Sequence, residues 1–137
     1  MLSTWIIALI IFVVIDVVLT VWILWKRFRS KKFGTRELEY IKAHWIRIID
    51  SFKSHPKQGI LDADKLLDYA LDRKGFVGTL GEKLKKAGPR FSNLNDVWNA
   101  HKLRNKVAHE FGEIGVDDAK RALMGFKQAL NDLGANL

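Results

Sequence analysis

From Trp5 to Trp25 the chain reads WIIALIIFVVIDVVLTVWILW, 21 residues with a single charge at Asp16. As a helix this run rises about 31 Å, close to the thickness of a bilayer's hydrocarbon core. Fifteen of the 21 residues are Ile, Leu, Val or Phe. At roughly −0.3 to −0.6 kcal/mol each near the centre, they outweigh the roughly +2.5 to +3.5 kcal/mol expected for Asp16. So many β-branched residues favour a strand in water, but in lipid a lone strand leaves its backbone groups unpaired, so a helix is expected. Trp5 at one end and Trp22 and Trp25 at the other suit the two interfacial belts.

The formal charge of +8 is unevenly placed: Lys26, Arg27, Arg29, Lys31 and Lys32 follow the apolar run directly. By the positive-inside rule this puts the N-terminus outside and the rest of the chain in the cytoplasm. A cleavable signal peptide fits less well, because no basic residue precedes the run and no small-residue cleavage site follows it. The expectation is a single-pass protein of the cell inner (plasma) membrane: a transmembrane helix at 1–25, a basic juxtamembrane linker at 26–34 and a cytoplasmic domain at 35–137. Asp16, near mid-span with no basic partner inside the run, is expected to be protonated or to make a polar contact between two paired spans.

The remaining residues suffice for one domain with a modest core. The chain has no cysteine, which excludes disulfides, thiolate zinc sites, iron–sulfur ligation and cysteine nucleophiles. Leu38, Ile41, Trp45, Ile48 and Phe52 recur at 3-4-3-4 spacing after Thr35, a plausible N-cap, and predict a first helix. Lys53 to Gly59 reads as a turn, followed by a helix over about 60–74 carrying Leu66, Leu67, Ala70 and Leu71. Thr79 and Glu82 form a capping box for a short helix that stops at Gly88–Pro89. Ser92 or Asn93 caps a helix over about 94–110, with Leu94, Val97, Trp98, Val107 and Ala108 on its apolar side. Asp117 caps a last helix bearing Ala119, Leu123, Phe126, Leu130 and Leu133. The fold class is therefore all-α: a transmembrane helix, then an antiparallel bundle of four to five helices. The mixed charges of the first two bundle helices read as plain surface. Lys83, Lys85, Lys86 and Arg90 form a second basic group, either a guide for a phosphate backbone or an ordinary solvated face.

The chemistry-bearing segment is HKLRNKVAHE, residues 101–110. On a helix His101 neighbours Arg104 and Asn105, and Asn105 neighbours His109, with Val107 on the opposite, apolar side. Arg104 is permanently charged and can fork onto a phosphate, while the imidazole of His109 is a candidate to exchange protons. A base for a 2′-hydroxyl and a fixed cation for the phosphate are the two groups that metal-independent RNA cleavage requires. His101, Lys102 and Lys106 are candidate substrate contacts. No zinc-ligand spacing is present, and no metal or cofactor is expected.

RNKVAH, with Arg104, Asn105 and His109, resembles the signature of the HEPN superfamily (higher eukaryote and prokaryote nucleotide-binding domains). That signature is an Arg, a polar residue that is often Asn, and a His four to six positions after the Arg. The resemblance covers about residues 35–137. It implies a small helical bundle that dimerises and cleaves RNA without metal, or an inactive relative that binds a partner. In the active form His109 transfers the proton, Arg104 stabilises charge on the phosphate and Asn105 orients the phosphate or the His, in a cleft shared by two subunits. HEPN toxins paired with nucleotidyltransferase antitoxins carry a Tyr two positions after the His; here that position is Phe111, which has no hydroxyl to modify.

Two other readings stand beside a membrane-anchored, dimeric HEPN-like endoribonuclease acting on RNA. One is a non-catalytic adaptor that binds a protein or nucleotide at the membrane. The other is a stress or defence effector that depends on a protein regulator. Arg104, Asn105 and His109 would also serve simply to tie a helix end to its neighbours, with His109 favourable at the negative end of the helix dipole.

Overall fold

The computed structural model describes residues 2–28 and 31–137 and divides into two units, 1–31 and 32–137. All regular structure among the described residues is helical. Helix α1, Leu2–Phe28, forms the first unit's long helix, and its residues Ser3–Lys26 have a mean hydropathy of 3.1. That stretch is long and apolar enough to cross a membrane, and its side chains are exposed all round rather than packed on a core. The Thr20 hydroxyl donates to the backbone carbonyl of Asp16 at 2.8 Å, and Lys26 Nζ lies 5.0 Å from the centre of a Trp22 ring. Arg29 and Ser30 of the expected basic linker lie outside the described residues; Lys26 continues α1.

The second unit contains α2 (Thr35–Phe52), α3 (Pro56–Arg73), α4 (Leu80–Ala87), a single 3-10 turn at Gly88–Arg90, α5 (Leu94–His109) and α6 (Val116–Asp132). Helix α3 is the centrepiece, packed against α2, α5 and α6 and touching α4. Its Ile60, Ala63, Leu67, Ala70 and Leu71 are fully buried, as are Ile41, Leu84, Phe126 and Leu130 from the surrounding helices. Each large side chain of this kind contributes about 1.5–3 kcal/mol relative to exposure. Of the stripe expected on α2, Ile41, Trp45 and Ile48 are buried, while Leu38 and Phe52 pack partly buried at its ends.

The helix starts differ from expectation, each for a local reason. Gly34, not Thr35, precedes α2, and its N–H donates to the Glu37 carboxylate at 2.9 Å. The expected turn up to Gly59 is already helix, because Pro56 occupies the first helical position, where its fixed φ suits and its missing N–H costs nothing. Gly59 is kept small by the Phe52 ring, which an added Cβ would approach to 2.7 Å. Gly115 rather than Asp117 caps α6, leaving Asp117 and Asp118 in the first turn beside the positive dipole end. The Thr79–Glu82 capping box and the Asn93 cap form as expected.

The apolar side expected on α5 packs inward in its first half, where Leu94 and Trp98 lie partly buried against the core, but not at its C-terminal end. Val97 and Ala100 are buried, Val107 is half-buried and Ala108 is exposed. Gly125 on α6 sits so close that an added Cβ would lie 3.0 Å from the Asp96 carbonyl oxygen and 3.5 Å from Ala100 Cβ. This small-residue contact sets the inward face of α5 as 97, 100, 101 and 104. His101 and Arg104 therefore turn toward α3, on the core side rather than opposite it.

Candidate functional site

Their partner on α3 is Asp64, with only 6% of its side chain exposed. Its position follows the spacing Ile60–Asp64–Leu67–Leu71, so the backbone delivers a carboxylate where the pattern otherwise places core side chains. His101 Nδ1 lies 2.8 Å from Asp64 Oδ1, and Arg104 Nε lies 3.1 Å from Asp64 Oδ2. The Arg104 Nε–H is not aligned for a hydrogen bond, so this second contact is chiefly charge–charge. Arg104 Nη1 donates to Asn105 Oδ1 at 3.0 Å. One buried carboxylate thus carries two basic groups, and the pairing keeps its charge tolerable in the core. Asp64 belonged to a helix whose charges read as surface; its burial overturns that expectation.

With Nδ1 facing the carboxylate, that nitrogen is the donor of the pair and Nε2 is left for a ligand or solvent. The ring of Trp98 meets the His101 ring edge-on, with centroids 6.1 Å apart. His101, Arg104, Asp64, Lys65, Asp68 and the backbone turn Gly78–Gly81 border a solvent-open cleft of about 420 Å³. His109, the last residue of α5, is exposed, and its side chain makes no hydrogen bond or ion pair among the described residues. Lys102 and Lys106 line a different depression, of about 360 Å³, between α5 and α6 with Asp96, Asp118 and Arg121. The six candidates therefore divide among the Asp64 cluster (His101, Arg104, Asn105), the α5–α6 depression (Lys102, Lys106) and the exposed helix end (His109). Phe111 follows fully exposed in the loop beyond α5.

Of the second basic group Lys85 is exposed, while Lys83, Lys86 and Arg90 are engaged with other groups. Lys83 is buried, with Nζ 2.7 Å from Asp68 Oδ1 and 2.5 Å from Asp72 Oδ1. Burial disfavours its charge, but hydrogen bonds to these two carboxylates outweigh that and hold its pKa above the ordinary 10.5. Lys86 Nζ donates to the Val77 carbonyl at 2.9 Å, and the Arg90 guanidinium lies over the Phe76 ring at 5.1 Å. Among the described residues no group of three or more His, Asp or Glu side chains is arranged to hold a metal ion. His44 stacks on Tyr40 with centroids 3.9 Å apart, and His55 caps α3 without a side-chain hydrogen bond.

The chain matches no protein-family model, no curated protein and no solved structure.

Proposed function

We propose that this is a single-span membrane protein whose helical domain is HEPN-like, faces the cytoplasm and cleaves RNA as a homodimer without metal. The observation that supports it is the division of labour on α5. The Arg104 guanidinium is aimed by Asp64 and Asn105 while keeping 29% of its side chain exposed, and His109 stands unengaged just over one turn further on. In this reading His109 takes the proton of a 2′-hydroxyl, the P–O2′ bond forms as P–O5′ breaks, and the leaving O5′ takes a proton from solvent. Arg104 offsets the charge growing on the phosphate. The products are a 2′,3′-cyclic phosphate and a 5′-hydroxyl.

A second reading, a non-catalytic adaptor at the membrane, is favoured by the same Asp64, which neutralises Arg104 and engages His101 inside the subunit. The full chain in detergent, incubated with mixed RNA in excess EDTA, separates the two. Cyclic phosphate ends that disappear in Arg104→Ala and His109→Ala support the nuclease. Intact RNA with a folded dimer leaves the adaptor.

A further inference from the structure

Between Trp5 and Trp22 the apolar helix α1 carries two polar side chains, Asp16 and Thr20, one turn apart on the same face. Their hydrogen bonding differs. The Thr20 hydroxyl donates to the Asp16 backbone carbonyl at 2.8 Å, the local bond that lets a helix carry a hydroxyl into hydrocarbon. The Asp16 carboxyl has no such outlet. It is exposed, and among the described residues it has no hydrogen-bond or ionic partner. Water satisfies such a group on a soluble surface, but the core of a bilayer crossed by Ser3–Lys26 offers neither donor nor acceptor. The nearest basic side chain along the helix is Lys26, about 15 Å further on by helix rise, and its ammonium faces the Trp22 ring. A partner for Asp16 must therefore come from another chain.

We propose that two copies of this chain pair along α1 through Asp16, the carboxyl of one span hydrogen-bonding the carboxyl of the other inside the membrane. A second copy is the occupant that the chemistry selects. A carboxylic acid both donates and accepts, so two of them satisfy each other without a basic residue. The basic flank inserts both copies in the same direction, so their Asp16 side chains lie at one depth. A two-fold axis along the bilayer normal then makes the contact self-complementary, with an O–H of one carboxyl donated to an oxygen of the other. Thr20 does not compete for this role, because its proton is already spent on its own backbone. Leu9, Phe12, Leu19 and Ile23 lie one or two turns from Asp16 on the same face and complete the seam. Pairing of the spans turns the meeting of the two helical domains into an intramolecular event. Helix α1 is thereby the dimerising element of the proposed homodimer as well as its anchor. The inference rests on the membrane reading of α1 and not on RNA cleavage.

The test uses the full chain in the membranes of the cells that make it, where the absence of cysteine lets single thiols report the seam. Leu9→Cys and Ile23→Cys, on the Asp16 face, should form disulfide-linked dimers under copper phenanthroline. Val14→Cys and Val18→Cys, on the opposite face, should not. Asp16→Leu added to the two reporting variants should lower the dimer yield by about fivefold or more, and Asp16→Asn, whose amide also donates and accepts, should keep most of it. Asp16→Leu makes the span more apolar, so a loss of dimer is not a loss of insertion; equal recovery in carbonate-washed membranes checks this. No cross-link at any position, equal cross-linking on both faces, or a yield unchanged by Asp16→Leu would overturn the proposal. Adducts formed only with other membrane proteins would overturn it by showing a different occupant. Recovery of the native chain outside the membrane fraction would remove it together with the membrane reading. Paired spans in a protein that leaves RNA intact defeat the nuclease alone. RNA cleavage by a protein without an Asp16-dependent cross-link defeats the span pairing alone.

Discussion

Asp64 Oδ1 lies 2.8 Å from His101 Nδ1 across 37 residues of sequence, and this contact fastens the central helix α3 to the helix that carries the motif. The same carboxylate faces Arg104, so the orientation of both basic groups depends on one buried acid. Folding and function meet at this position: the cluster joins α5 to α3, and it fixes how α5 presents its two basic groups.

Removal of the acid should therefore be costly. Asp64→Ala leaves a half-buried guanidinium and a largely buried imidazole without their counter-charge, and a loss of about 3 kcal/mol is expected. Asp64→Asn, which still offers an oxygen to Nδ1–H, should lose about 1–2 kcal/mol. Urea denaturation of the two variants beside the native chain measures both. Equal stability of Asp64→Ala and the native chain would show that the cluster does not hold α3 to α5.

Lys83 predicts an alkaline limb. Its folded pKa stands above the unfolded value of 10.5, so its stabilising contribution is complete below about pH 10.5 and is lost as pH rises through the folded pKa. Because Asp68 and Asp72 are 41% and 56% exposed, solvent screens the pair, and a contribution of only about 1 kcal/mol is expected. Lys83→Met should flatten this limb in a pH series of denaturation curves while leaving the neutral and acidic ranges parallel to those of the native chain.

Gly78 is required by backbone and space together. Its φ of +119° lies where L side chains are rare, and an added Cβ would collide with the Glu82 carboxylate that reaches back to cap α4. Gly78→Ala should cost more than about 1 kcal/mol, whereas Thr79→Ala, which removes the reciprocal half of the capping box, should cost about 1 kcal/mol. Thermal melts of the two variants compare them directly.

The legible parts of this fold were those governed by one helix's own periodicity. The stripe of α6 (Ala119, Leu123, Phe126, Leu130 and Leu133) is buried throughout, and the α4 cap was readable from Thr79 and Glu82 alone. Asp64 was not legible as a site residue, because charge predicts surface unless a partner is known, and its partners lie 37 and 40 positions away. A signal existed in the spacing of Ile60, Leu67 and Leu71, which puts Asp64 at a core position. The C-terminal end of the α5 face differed from expectation for a related reason. Hydrophobicity pointed to Val107 and Ala108, but the close approach of Gly125 to Ala100, a property of the helix pair, decided which side turned inward.

The orientation of α1 gives a last prediction that the cysteine-free sequence makes simple to test. The basic residues after the apolar run should hold their flank on the cytoplasmic side, with the residues before Trp5 outside. Ser3→Cys and Ser54→Cys each introduce a lone thiol at an exposed position, one in the first turns of α1 and one between α2 and α3. In intact cells a membrane-impermeant maleimide should label Ser3→Cys and leave Ser54→Cys unmodified until the membrane is permeabilised. Replacing Lys26, Arg27, Lys31 and Lys32 with Gln should raise labelling of Ser54→Cys in intact cells, because it removes the charge asymmetry that orients the helix. The reverse pattern in the native background would place the helical domain outside, away from cytoplasmic RNA, and would remove the nuclease's proposed substrate.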